Sequence, residues 1–397
     1  MVNNNQHANS IKPLNHKLLS ALPIASLFCA LGFNIGSWAS RLVDLKIAMA
    51  ITEAQLGFYL LATSLGAIVA FPITIWFLHN LGARKTSLIL GVAATLLLPL
   101  LMLNQSYPIG LILMFFEGIC CAGINASINT LGSDFEKKHH IKCMSRLHAV
   151  FSLGLAAAAL LSMGVIHYIS DELIYHSIFV SGVLITLIIY AYFGLDKNEA
   201  PTASERKKER KLININTLIL GTIVFCATII EGSMNDWSAV YLREVIGTTA
   251  SIAPSGILVF SIAMFIGRLF ADNLRQRFPD LVLITIAGFF VSTVLSIGLF
   301  ISGLAATWVS FAIVGLTVSL ISPAIYATAA AIGPGSLSLM ATFGSTGGMV
   351  GPPLIGFIAT HFGLTTGMYM VAASGLIITF AAIQLLQRQQ TTQLRSV

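Results

Sequence analysis

Runs of about 20 mainly apolar residues recur along this chain. They lie near 18–38, 54–78, 86–104, 108–130, 146–169, 173–195, 214–242, 252–272, 281–302, 304–331, 336–360 and 364–386. A run of that length crosses the hydrocarbon core as a helix. Within lipid, only helices and closed barrels satisfy every backbone donor and acceptor. Only 10% of the residues are charged, against about 25% in a soluble domain. The expectation is an all-α integral membrane protein with twelve transmembrane helices. The first run is too long for a signal-peptide core and lacks a small-residue cleavage site, so it reads as a span. The tenth and eleventh runs are joined by Gly333-Pro334-Gly335, without charge.

The loops on the N-terminal side carry Lys12, Lys17, Arg84, Lys85, Lys137, Lys138, Lys142, Arg146, the cluster from Lys197 to Lys211, Arg268, Arg275, Arg277, Arg388 and Arg395. The opposite side has Arg41, Lys46 and Arg243, so 19 of the 22 Lys and Arg lie on one side. Such an excess marks the cytoplasm and places both termini inside. The net charge of +6 is spread between apolar segments, so it sets topology rather than binding nucleic acid. The long hydrophilic segment 196–213 follows the sixth span. It divides the chain into halves, 1–195 and 214–397, and reads as a cytoplasmic linker. The five cysteines form no disulfide framework, and no ligands have metal spacing, so neither metal nor cofactor is expected.

Polar residues inside the spans are the functional signal. The stretch Glu231-Gly232-Ser233-Met234-Asn235-Asp236-Trp237 interrupts the seventh span, and charge at membrane depth is costly. Glu231 and Asn235 share a helical face, whereas Asp236 lies about 140° from Glu231. Both acids face one cavity only if it is wide or the helix breaks, for which Gly232 is suited. Glu117 lies about 14 Å from the outer end of the fourth span, near the midplane. It is either functional or an acid hydrogen-bonded between helices. Asn125 and Asn129 share a face below it, with Asn125 reading as interhelical glue and Asn129 as a cavity residue. His148, near the cytoplasmic end of the fifth span, either passes protons or caps a neighbouring helix. Asn34 lies a turn below Trp38. Trp38 and Trp237 hold matching places at the outer ends of the first and seventh spans. Each alone would read as a membrane-belt tryptophan, but their correspondence suggests a duplication. Gly344, Gly347, Gly348, Gly351 and Gly356 crowd the eleventh span with Pro352 and Pro353. They predict close packing with bending, as does Pro323 in the tenth.

The chain resembles a full-length member of the major facilitator superfamily, with six plus six helices around a basic central loop. That family's loop motif after the second span falls on His79 to Lys85. Gly82 and Arg84 match, and the motif's acid falls on His79. In the second half Gly267-Arg268 closes the eighth span and Arg277 follows in the loop. Within the superfamily the chain is similar to bacterial MosC-like membrane proteins, the YbjJ type among them, and more weakly to sugar symporters of the fucose-permease kind. The carrying stretches are Ser37 to Arg41, Arg146 to Gly154, Glu231 to Trp237, Gly267-Arg268 and Val350 to Gly356. The resemblance implies two six-helix bundles in a bacterial inner membrane, rocking around a central site.

No nucleotide-binding loop is present, so the expected energy source is an ion gradient, most simply protons. The proton-coupling candidates are Glu231 first, then Asp236 and Glu117, with His148 as a relay. The substrate-binding candidates are Asn34, Trp38, Asn125, Asn129, Asn235 and Trp237. The expectation is a monomeric secondary transporter in the bilayer that imports a small polar solute, such as a sugar derivative, with protons. Proton-antiport export of a drug, siderophore or metabolite is the alternative. An intramembrane enzyme is disfavoured, because no nucleophile or zinc motif appears.

Overall fold

The structure, a computed structural model, describes residues 19–196, 215–332 and 334–395. They form helices α1 (Leu22–Ala39), α2 (Leu42–Ala48), α3 (Glu53–Leu103), α4 (Tyr107–His139), α5 (Met144–Tyr168), α6 (Leu173–Gly194), α7 (Ile215–Glu244), α8 (Ser255–Arg277), α9 (Asp280–Ile301), α10 (Leu304–Ile332), α11 (Pro334–Phe362) and α12 (Leu364–Arg395), with no strand among the described residues. The linker expected at 196–213 lies, beyond Asp196, outside the described residues, as does Gly333 of the connection between the tenth and eleventh spans.

The second and third spans both lie in α3, as two helical segments that meet at a kink. Gly82 forms that kink with φ 78° and ψ 166°, a conformation open to glycine because it lacks Cβ. Thr74 and Leu90, eight residues either side, both approach Gly123 of α4, so the chain reverses at Gly82. The loop-motif glycine is thus the turn itself. Arg84 follows it, donating to Tyr192 O at 2.8 Å and lying over the Tyr192 ring at 5.3 Å. α3 begins with a capping box in which Thr52 and Gln55 exchange backbone and side-chain bonds.

Among the described residues, ten helices are long and apolar enough to cross a membrane. α3 makes two passes about Gly82. α11 has the length, 29 residues, but glycine, serine, threonine and proline dilute its hydropathy. Large apolar side chains, including Phe71, Trp76, Phe193, Phe300 and Phe380, remain exposed around the outside, as a lipid-facing surface requires.

The helices before the linker pack on one another, as do those after it, and the halves meet along α5–α8, α3–α11 and the α2–α7 corner. Within the halves, close approach rests on missing side chains. A Cβ on Gly118 of α4 would lie 1.9 Å from Thr63 O of α3. The face bearing the start of α1 is termed the terminal face, and the face bearing α2 the far face. On the far side α3 and α11 close against each other. A Cβ on Gly57 would lie 2.9 Å from Pro353 Cα and 3.0 Å from Pro352 O, while Ala54 N donates to Thr360 Oγ1 at 2.8 Å. α11 stays helical through Pro352 and Pro353, and α10 through Pro323. Gly344, Gly347 and Gly351 of α11 seat on Val224, Phe225, Thr228 and Ile229 of α7, the close packing expected of them.

Candidate functional site

α7 runs unbroken from Ile215 to Glu244, so of the two alternatives for Glu231 and Asp236 the helix break at Gly232 is not the one realised. A Cβ on Gly232 would meet nothing, which leaves open space beside Glu231. Glu231 is not a lone acid. Its Oε1 accepts from Arg268 Nη2 of α8 at 3.0 Å, with the two side chains 24% and 11% exposed. Arg268 therefore does not belong to a loop, as its neighbourhood in sequence suggested. α8 continues nine residues past it, to Arg277, and Gly267 before it packs against Leu316 and Ser319 of α10. An arginine at this depth is costly unless paired, and its Nη1 arm is bonded as well. Arg268 Nη1 donates to His148 O at 3.0 Å and to Ser152 Oγ at 2.5 Å, both on α5. Ser145 Oγ of α5 donates in turn to Arg268 O at 3.1 Å.

The network continues into α4. His148 Nε2 donates to Asn129 Oδ1 at 3.2 Å, and Asn129 Nδ2 donates to Asn125 Oδ1 at 2.9 Å. Asn125 and Asn129 share a face, as their spacing predicted. His148 links α5 to α4 through its ring and to α8 through its carbonyl. The structure thus joins Asn125, Asn129, His148, Arg268 and Glu231 into one chain of polar contacts across both halves.

A second centre lies in the first half. Glu117 of α4 is fully buried. Asn34 Nδ2 of α1 and the Cys121 thiol both donate to its Oε1, the thiol at 3.2 Å. Among the described residues its Oε2 has no partner, nor does Asn34 Oδ1. Trp38 and Trp237 are not belt residues facing lipid. They are 4% and 0% exposed and share one apolar cluster with Tyr59 and Tyr241. Both indole N–H groups, the Tyr59 hydroxyl and Asn235 Oδ1 are buried without a partner among the described residues. Asp236 is partly exposed and forms no ion pair among the described residues.

At the far face, Lys46 of α2 bridges Glu53 of α3 at 2.7 Å and Glu244 of α7 at 2.6 Å, so it ties one half to the other. Burial pushes the Lys46 ammonium down. The hydrogen bonds it donates to Glu244 and Glu53, with the charge of both carboxylates, outweigh this and hold it above lysine's ordinary value. Sequence reasoning counted Lys46 only as an outer-loop charge. It also passed over Ser152, whose partner Arg268 lies 116 residues away, and Cys121, which sits one turn from Glu117 and 87 residues from Asn34.

Comparisons with known proteins agree with this architecture. The family model for the Major Facilitator Superfamily matches residues 18–336. An uncharacterized transporter, y4wD, of Sinorhizobium fredii is 28% identical over 366 residues, which cover 90% of this chain and 96% of that protein. Membrane protein MosC of Rhizobium meliloti is 26% identical, covering 92% and 90%. Among solved structures, a mutant of the nucleoside transporter NupG superposes with a TM-score of 0.72 at 12% identity, over 93% of this chain and 99% of that one. A bacterial homolog of the human lysosomal transporter Spinster gives 0.69 at 13%, over 94% and 98%. These two show the fold alone.

Proposed function

Because this chain belongs to the Major Facilitator Superfamily, we propose that it is a proton-coupled secondary transporter that imports a small polar solute of the sugar or sugar-derivative class. One observation carries the reading. Asn34 Oδ1, Glu117 Oε2, Asn235 Oδ1 and the indole N–H groups of Trp38 and Trp237 are buried, unpartnered among the described residues, and contributed by α1, α4 and α7. A buried polar group left unsatisfied costs about 1–3 kcal/mol. A solute with several hydroxyl or amide groups satisfies such a mixed set of donors and acceptors. A hydrocarbon-like cargo would satisfy none.

The chain sits in a bacterial inner membrane with both termini in the cytoplasm, and the far face is the outer one. It works as a monomer, since one chain supplies both halves of the cavity. Glu231 carries the coupling proton, and Asp236 and Glu117 are the further exchangeable acids. Asn34, Trp38, Asn235 and Trp237 contact the solute, while Asn125 and Asn129 hold His148 in place.

The test is comparative metabolomics of cells and medium, with wild type, Glu231→Gln, Glu117→Gln and empty vector at matched membrane levels. A polar metabolite depleted from the medium and enriched inside cells with wild type alone is the expected result. Enrichment in the medium would replace import by export through proton antiport. Unchanged accumulation in Glu231→Gln would remove Glu231 from the coupling role.

A further inference from the structure

At the far face, the turn between α1 and α2 holds an arginine that the transport reading does not use. Arg41 is fully buried. Its Nε donates to Asp44 Oδ2 of α2 at 2.5 Å, and its Nη2 donates to Asp171 O in the connection between α5 and α6. Its Nη1 is buried with no partner among the described residues. His176, in the first turn of α6, is also fully buried and lies within electrostatic reach of Arg41. The His176 Nε2 meets Ser37 O of α1 at 3.2 Å. A carbonyl only accepts, so Nε2 carries the proton, and Nδ1 of the neutral ring is left with a bare lone pair. Nδ1 too is buried and unpartnered among the described residues.

We propose that Arg41 and His176 form a binding site for a small monovalent anion such as chloride, which binds together with one proton. The proton goes to Nδ1 and turns it from acceptor into donor, so that Nδ1–H and the Arg41 Nη1–H both donate to the anion. Neither the proton nor the anion is well accommodated alone. A proton by itself sets an imidazolium beside a guanidinium in a buried place, where charges interact strongly. An anion by itself meets the lone pair of Nδ1 and gives up its water. Together they add no net charge, and the charge of Arg41 is already balanced by Asp44. Among the described residues, few other groups titrate around the ring. The outer ends of α3 (96–103) and α5 (162–168) bring only His167 and Tyr168, exposed and stacked on each other. Asp171, Glu172 and Tyr175 are exposed beside the start of α6. The two exposed carboxylates there repel a multivalent oxyanion more than a monovalent ion, and two single donors suit a small sphere.

The experiment uses the full-length protein in detergent and reads thermal unfolding. Chloride is titrated against gluconate at constant ionic strength, at three pH values between about 5.5 and 7.5, and its stabilising effect gives an apparent Kd at each. The chloride-bound form holds one proton more than the free form. Affinity is therefore expected to weaken about tenfold for each unit of rising pH. His176→Leu removes the proton site and is expected to abolish the chloride effect at every pH. Arg41→Lys keeps the charge without the Nη1 arm and is expected to weaken chloride at least about tenfold, the scale of one lost charge-assisted hydrogen bond. A wild-type protein that chloride does not stabilise, an affinity constant across the pH range, or the wild-type pH slope persisting in His176→Leu would each overturn the proposal. Should the variants fail to fold, the wild-type slope alone decides. The readout needs no transported solute, so a transport reading that fails in the metabolite assay leaves it intact.

Discussion

Glu117 and Glu231 are the same residue type in apolar helices, and their neighbours give them different chemistry. Glu231 has a guanidinium at 3.0 Å and open space beside it. Glu117 has an amide and a thiol, both donating to one oxygen, and is sealed from solvent. Asn34 and Glu117 therefore act as a unit. Replacing either by alanine strands a buried polar partner, with an expected loss of about 1–3 kcal/mol each. Replacing both is expected to cost clearly less than the sum, because the second change removes the group the first had stranded. Thermal unfolding of the purified protein in detergent checks this, and additive losses would show that the contact carries little energy. The polar character of both sites was legible in the sequence, since acids in apolar runs stand out. Their partners were not. Arg268 sits in a run that also reads as the end of a span, and Cys121 looks like any cysteine in a helix.

At the scale of elements, glycine decides which helices touch and which seams can shut. Gly118 lets α4 lie on α3 within one half, whereas Gly57 lets α3 meet α11 of the other half. A side chain at either place collides with backbone, but the consequences differ. Gly118→Val is expected to abolish folding or lower stability by about 1–3 kcal/mol or more, as overpacking against a fixed backbone does. Gly57→Val is expected to leave the halves folded and hold the far-face seam apart. Labelling of a cysteine at Thr360 by a membrane-impermeant maleimide would then rise, with the melting temperature nearly unchanged. Equal losses of stability for the two variants would mean that the α3–α11 seam is ordinary core. The crowding of small residues in the eleventh span predicted close packing. It did not reveal that α7 receives Gly344, Gly347 and Gly351, or that α3 meets the diproline.

For the whole molecule, Lys46 crosses between halves through its bridge to Glu244 of α7, whereas Arg268 pairs with Glu231 of α7 inside its own half and crosses through its hydrogen bonds to α5. One bridge lies at the far face and one within the membrane. Lys46→Gln is expected to loosen the far face by about 1 kcal/mol or less, the scale of a partly exposed bridge. Spin labels at Ala50 and Thr249 would report a shift toward longer distances, and an unchanged distribution would show that packing alone holds that face. The pH dependence has a definite sign. A lysine held above its ordinary value contributes fully below that value and loses its contribution only as the pH rises through the raised one. The Lys46 contribution is therefore expected to stay flat on the alkaline side, from neutral to about pH 9, and to weaken with salt.

Twelve apolar runs, their basic loops and the cost of charge in lipid determine from the sequence alone that this chain is a polytopic helical protein with a polar interior. Those properties depend on local composition, and the penalty for an unpaired backbone or charge in hydrocarbon is large enough to dominate. Only the tertiary structure decided that Glu231 faces Arg268, that Arg268 reaches α5, that Asn34 answers Glu117, and that Lys46 joins α2 to α7. These pairings lie 37 to 198 residues apart in the chain. They depend on which faces the helices turn to each other, and in a span apolar on every side the sequence carries no periodicity to announce that choice.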